Sequence, residues 1–111
     1  MKIRDIVKTL GLKVISGDKF LEREVTGGYA GDLLSDVLAN SKKGNLWITL
    51  QIHQNIVAVA SSKELSGIII VNGRKPEEET LRKAKEEEIP VMISSLLTYE
   101  VAGRLFEIGI R

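Results

Sequence analysis

Leu65-Ser66-Gly67-Ile68-Ile69-Ile70-Val71-Asn72-Gly73 holds four consecutive β-branched aliphatic residues between glycines. A half-exposed strand alternates apolar with polar residues, so an unbroken run of this kind reads as a strand covered on both faces. It is far too short to cross a membrane. Covering both faces requires helices above and below, and parallel neighbours are reached only through crossovers. This stretch therefore predicts an α/β fold: a single compact domain with a mostly parallel central sheet flanked by helices.

Downstream of the run, Asn72-Gly73-Arg74-Lys75-Pro76 leads to a helix with Pro76 in its first turn. Glu77, Glu78 and Glu79 suit the positive end of its dipole, and Glu78–Arg82 and Glu79–Lys83 are i, i+4 pairs. Only Leu81 and Ala84 are expected to touch the sheet, and the interleaved charges read as a solvated face. Ile89-Pro90-Val91-Met92-Ile93 is a further parallel strand with Pro90 at its first residue, where no ladder donor is needed. Thr98 is placed as the cap of a closing helix, with Val101, Ala102, Leu105, Phe106 and Ile108 inward and Gly109 just past its end.

Upstream, Ile56-Val57-Ala58-Val59-Ala60-Ser61 has no clear period, but a parallel crossover of about a dozen residues calls for a helix there. Leu46-Trp47-Ile48-Thr49-Leu50 is a strand by its β-branched and aromatic content. Asp32 is expected to cap a helix whose buried face carries Leu33, Leu34, Val37 and Leu38. Thr26-Gly27-Gly28-Tyr29-Ala30-Gly31 lacks the lysine and Ser/Thr of a phosphate-binding P-loop and reads as flexible chain ahead of that helix. Leu12 to Ser16 is a strand, followed by an extended piece near Val25. Ile3, Ile6, Val7 and Leu10 line one face of an opening helix that Gly11 ends.

The chain has 111 residues, a size at which one domain buries enough surface to stand without staples. Sixteen Lys and Arg against fifteen Asp and Glu leave a net charge of +1, too little field to recruit nucleic acid or an anionic membrane. Without cysteine there is neither a disulfide framework nor a thiolate metal site. The polar start, Met1-Lys2-Ile3-Arg4-Asp5, lacks the apolar segment of a secretory signal, so a cytoplasmic location is expected.

In open α/β sheets ligands collect outside the carboxyl ends of the strands. Three strand exits deliver polar groups to that rim: Gln51, His53, Gln54 and Asn55; Asn72, Gly73, Arg74 and Lys75; Ser94, Ser95, Thr98 and Tyr99. Amide, imidazole, guanidinium and hydroxyl donors suit a phosphate or nucleotide, and the expected ligand-binding set is Gln51, His53, Asn55, Asn72, Gly73, Arg74 and Thr98. No catalytic set, metal site or cofactor is expected. His53, the sole histidine, has two readings: an imidazole that meets a ligand, or one whose ring nitrogens cap a helix or bond a loop carbonyl. Trp47 sits inside a strand and belongs to the core rather than to a stacking platform.

Leu21-Glu22-Arg23-Glu24-Val25-Thr26-Gly27, Gly44-Asn45-Leu46-Trp47-Ile48-Thr49, the run Gly67 to Pro76, Ile89-Pro90-Val91 and Thr98-Tyr99-Glu100 follow one another as landmarks. In this order they resemble the DRTGG domain family, from about Leu12 to Leu105, so that residues 1–111 read as a single DRTGG-like domain. At the naming motif the chain departs from the family: Ile52-His53 stands for its Asp-Arg and Val71-Asn72-Gly73 for its Thr-Gly-Gly. The substituted loops stay polar. His53 to Ala60 is similar to a stand-alone subgroup found near iron-only hydrogenase components and signalling proteins. The segment through Val25 is also similar to the non-catalytic N-terminal domain of HPr kinase/phosphorylase.

The resemblance implies a non-enzymatic regulatory or sensor module, homodimeric, that binds a small anionic metabolite or nucleotide or docks onto a redox or signalling protein partner. Two alternatives stand beside it. One is a purely structural oligomerisation domain without a ligand. The other is a small enzyme acting on phosphorylated substrates through His53.

Overall fold

A computed structural model describes all residues, 1–111. The chain runs α1 (Ile3–Leu10), β1 (Lys13–Ser16), a short 3-10 turn (Asp18–Phe20), β2 (Gly27–Ala30), α2 (Leu34–Asn40), β3 (Asn45–Thr49), α3 (Asn55–Ser62), β4 (Gly67–Ile70), α4 (Glu78–Glu86), β5 (Val91–Ile93) and α5 (Thr98–Glu107). The five strands form one sheet in the order β1-β5-β4-β3-β2. Strands β2 to β5 are parallel, each beside its successor, and β1 closes the far edge antiparallel to β5 with a bulge between Val14 and Ser16.

Every residue of β4 is buried, as an all-apolar run requires. Its side chains divide the core in two. Ile68 and Ile70 face Trp47, Val57 and Ala84 beneath α2, α3 and α4, whereas Ile69 and Val71 join Ile3, Ile6, Met92 and Leu105 beneath α1 and α5. The crossover helices thus share one face of the sheet and the terminal helices the other. Trp47 is fully buried and its Nε1 donates to the Gly31 carbonyl, which gives the one polar atom of a core aromatic a partner. Gly11 ends α1 in the left-handed conformation expected of it.

Several expectations are corrected. Gly27–Ala30 is a paired edge strand, not flexible chain; the register to β3 and the packing of Ile110 beside Gly28 override the low strand preference of glycine. Leu33 occupies the cap position of α2, and Asp32 turns back to the sheet instead. Of the face assigned to that helix only Val37 is fully buried, while Leu33 is 67% and Leu38 is 42% exposed, because α2 lies at the sheet margin with nothing beyond it.

In α4, which starts at Glu78 after Pro76, Thr80 is buried and Leu81 half-buried. Thr80 can face inward because its hydroxyl donates to the Ile52 carbonyl at 2.7 Å. Arg82 pairs with Glu79 and Glu86 rather than Glu78, and Lys83 pairs with Glu86. Leu97, not Thr98, is the cap residue of α5, and Phe106 points outward, 58% exposed, where the helix overhangs the sheet. No helix is long and apolar enough to cross a membrane.

Candidate functional site: the carboxyl rim of the sheet

The carboxyl ends of β2, β3, β4 and β5 lie side by side. From the neighbours β4 and β5 the chain leaves to opposite faces, toward α4 and α5, which is the arrangement that opens a crevice in doubly covered sheets. Here the crevice is bridged. Asn72 and Gly73 form a tight turn with φ of 60° and 63°, the pair of left-handed residues that Asn-Gly supplies at least cost. Their amides cross to the β5 exit loop, Asn72 N–H to the Leu96 carbonyl and Gly73 N–H to the Ser94 carbonyl, both at 2.8 Å. These two N–H groups are therefore engaged within the protein.

The β3 exit loop is the hub of the rim. Asp32 Oδ1 accepts from the Thr49 hydroxyl at 2.8 Å and from the Leu50 amide at 2.7 Å, and Gln51 Nε2 donates to the Asp32 carbonyl at 2.9 Å. From the other side Arg74 Nη1 donates to the Leu50 carbonyl at 2.7 Å, and the Glu77 amide and Thr80 hydroxyl hold the Ile52 carbonyl. Neighbouring strand exits thus grip residues 49–52 from both sides. His53 follows directly, and its Nδ1 accepts from the Asn55 amide at 3.1 Å at the start of α3. An Nδ1 acceptor in the neutral ring leaves the proton on Nε2, which has no partner.

The bond from the Asn55 amide matches the reading of His53 as an imidazole that serves the start of α3, while Nε2 has no partner within the protein. The structure brings Gln51, His53, Asn55 and Arg74 together around this loop. Asn72 and Gly73 sit on the adjoining turn. Thr98 lies on the β5 side, its hydroxyl without a partner, and no hydrogen bond ties it to the His53 group. Free donors on the rim are His53 Nε2, the remaining guanidinium N–H groups of Arg74, and the side-chain amides of Asn55 and Asn72. Asp32 is the rim residue whose part in holding the β3 exit loop sequence reasoning missed. Its position four residues after Gly28 marks a strand exit only once Gly27–Ala30 is known to be a strand.

Three hollows, of about 630, 540 and 160 Å³, lie elsewhere: at the amino ends of the strands, between β1 and α4, and between β2 and α5. None of these three is lined by the expected ligand-binding residues.

The DRTGG domain family matches residues 5–108. This chain belongs to that family. Among curated proteins none matches the sequence. The solved CBS and DRTGG domains of the regulatory region of Clostridium perfringens pyrophosphatase, complexed with the activator diadenosine tetraphosphate, align with a TM-score of 0.70 over 92% of this chain at 16% identity. The present chain spans 44% of that one, and the likeness is one of fold. Within the DRTGG fold the gripped β3 loop carries Ile52-His53, and the Asn72-Gly73 turn follows β4.

Proposed function

We propose that residues 1–111 form one non-enzymatic regulatory unit that binds a small phosphate-bearing molecule, a nucleotide foremost, on the carboxyl rim. The observation that carries this reading is that His53, on the β3 exit loop, and Arg74, which grips that loop at the Leu50 carbonyl, both keep donors free. Arg74 is anchored through Nη1 on the Leu50 carbonyl and His53 through Nδ1 on the Asn55 amide, which leaves outward donors that lose little entropy on meeting an anion. Asn55, Asn72 and Thr98 supply neutral donors around them, and Gln51 and Gly73 shape the loops. Membership of a family that accompanies a nucleotide-activated regulatory region supports the same reading. The regulated partner is a redox or signalling protein, with hydrogenase components the first to try.

A thermal-shift series with adenine and guanine nucleotides, phosphate, acetyl phosphate and acetyl-CoA tests the site. A ligand at a hundred times its dissociation constant adds about 2.7 kcal/mol, a rise of several degrees for a domain of this size. The expected result is a shift with a phosphate-bearing compound that His53→Ala and Arg74→Ala each abolish. No shift with any of them, or a shift that both variants keep, overturns the site.

Pairing of chains is the second part of the reading. Leu97, Tyr99 and Phe106 are large apolar side chains exposed along α5, and Tyr99 and Phe106 stand seven residues apart, on one side of the helix. Light scattering at dilute concentration is expected to give a dimer; a stable monomer removes this part and leaves the ligand site standing.

A further inference from the structure

We propose a second binding site, for a small zwitterion with an apolar body, an amino acid in chemical class, in the hollow of about 540 Å³ between β1 and α4. It lies at the opposite end of the sheet from the rim, since Ser16 is in register with Val91 at the start of β5, and it is independent of the phosphate site.

Ser16 lines this hollow, is 6% exposed, and its Oγ is the sole buried side-chain polar atom of the protein without a hydrogen-bond partner. The other buried hydroxyls are all engaged: Ser41 on the Val37 carbonyl, Ser66 on the Asn45 carbonyl, Thr49 and Thr80 as described, and Ser94 as acceptor of the Leu96 amide. A buried polar atom left alone marks either strain or an absent partner. Ser16 sits beside a cavity large enough to hold that partner.

Four charged side chains also line the hollow: Asp18 and Lys19 from the turn after β1, Lys85 and Glu88 from the end of α4. None of the four takes part in an ion pair or a side-chain hydrogen bond, although seven ion pairs are made elsewhere on the surface. Two charges of each sign discriminate between ligands. A simple anion meets Asp18 and Glu88, and a simple cation meets Lys19 and Lys85, so each is opposed by like charge. A molecule that carries a carboxylate and an ammonium satisfies both pairs. Val14, Ile15, Phe20 and Ala84 supply apolar wall for its body.

The frame of the hollow is rigid. Gly17 has φ of 78°, and a Cβ there would lie 2.6 Å from the Pro90 Cα, so the turn after Ser16 is seated against the approach to β5. Glu88, with φ of 57°, ends α4 in a left-handed residue of its own. Both charged pairs therefore hang from backbone that tertiary packing or helix termination holds in place.

The test is an amide chemical-shift titration of the full chain with three probes: L-leucine, N-acetyl-L-leucine and L-leucinamide. Leucine is expected to move resonances clustered at Ser16 to Phe20 and Ala84 to Glu88, with millimolar affinity. Each blocked probe is expected to bind about tenfold more weakly or not at all, as the loss of one charged contact predicts. Ser16→Ala and the surface change Glu88→Gln each weaken leucine, whereas Arg74→Ala on the rim leaves it unchanged. Absence of clustered shifts with leucine, equal binding of the three probes, or wild-type leucine binding by both Ser16→Ala and Glu88→Gln overturns the proposal.

Discussion

Asp32 and Thr49 join the exits of two parallel strands, the Thr49 hydroxyl donating to Asp32 Oδ1 at 2.8 Å. Thr49 Oγ1 in turn accepts the Gln51 amide at 3.1 Å, and Gln51 Nε2 returns to the Asp32 carbonyl, which closes a ring of hydrogen bonds over the end of β3. The loop that presents His53 is therefore shaped by Asp32 after β2 on one side and by Arg74 on the other, together with its own Gln51.

Removing the carboxylate tests how much that ring contributes. Asp32→Ala leaves the fully buried Thr49 hydroxyl and the Leu50 amide without their acceptor, at a cost of about 1–3 kcal/mol. Asp32→Asn keeps an oxygen in place and is expected to lose roughly half as much, the share due to charge assistance. Urea denaturation measures both. Equal stability of Asp32→Ala and wild type would show that the ring does not hold the loop.

Two glycines with similar dihedral angles are expected to respond differently to a methyl group. At Gly11, φ of 65° with open space around the site makes Gly11→Ala cost about 1–2 kcal/mol of backbone strain alone. Gly17→Ala adds to that strain an overlap with the Pro90 backbone that no side-chain rotation relieves, and is expected to lose about 2–4 kcal/mol. Denaturation midpoints of the two variants compared side by side give the answer. Losses of the same size would mean that Pro90 moves aside freely.

Much of this architecture is legible from residue order because single segments admit one solution. Ile68 to Val71 can only be a doubly covered strand, and the crossovers on either side then follow from chain length. Gly27–Ala30 defeats such reading, since its strand character comes from β3 and Ile110 rather than from its own side chains. Phe106, Leu33 and Leu38 fall on apolar helical faces, yet the sheet does not extend far enough to cover them. On the rim, His53 and Arg74 are foreseeable as strand-exit residues, whereas the role of Asp32 depends on a neighbour that local pattern does not reveal. An unpartnered hydroxyl such as that of Ser16 is a property of three dimensions alone.

Ser16→Ala is expected to be neutral or stabilising by up to about 1 kcal/mol in the free protein. The substitution removes a buried donor that has no acceptor and loses no hydrogen bond in exchange. Thr80→Val is the contrasting control: it deletes a donor bonded to the Ile52 carbonyl and is expected to cost about 1 kcal/mol or more. Thermal melts of both variants check the pair, and a loss at Ser16 as large as that at Thr80 would mean that the Ser16 hydroxyl has a partner in solution.

Tyr29 provides a test in alkali. Its hydroxyl donates to the Asp36 carboxylate, and that hydrogen bond, with smaller contributions from burial and the carboxylate charge, raises its pKa above 10.0. A folded-state value above the unfolded one means that the folded protein holds this proton more tightly. The stabilisation is intact below about pH 10 and is lost as pH climbs through the folded value. Tyr29→Phe is therefore expected to be less stable than wild type at neutral pH and to show a shallower decline above pH ~10, where the wild-type advantage disappears. Urea midpoints collected across that range follow the difference directly. Parallel declines in the two proteins would mean that the Tyr29 proton is not held by Asp36.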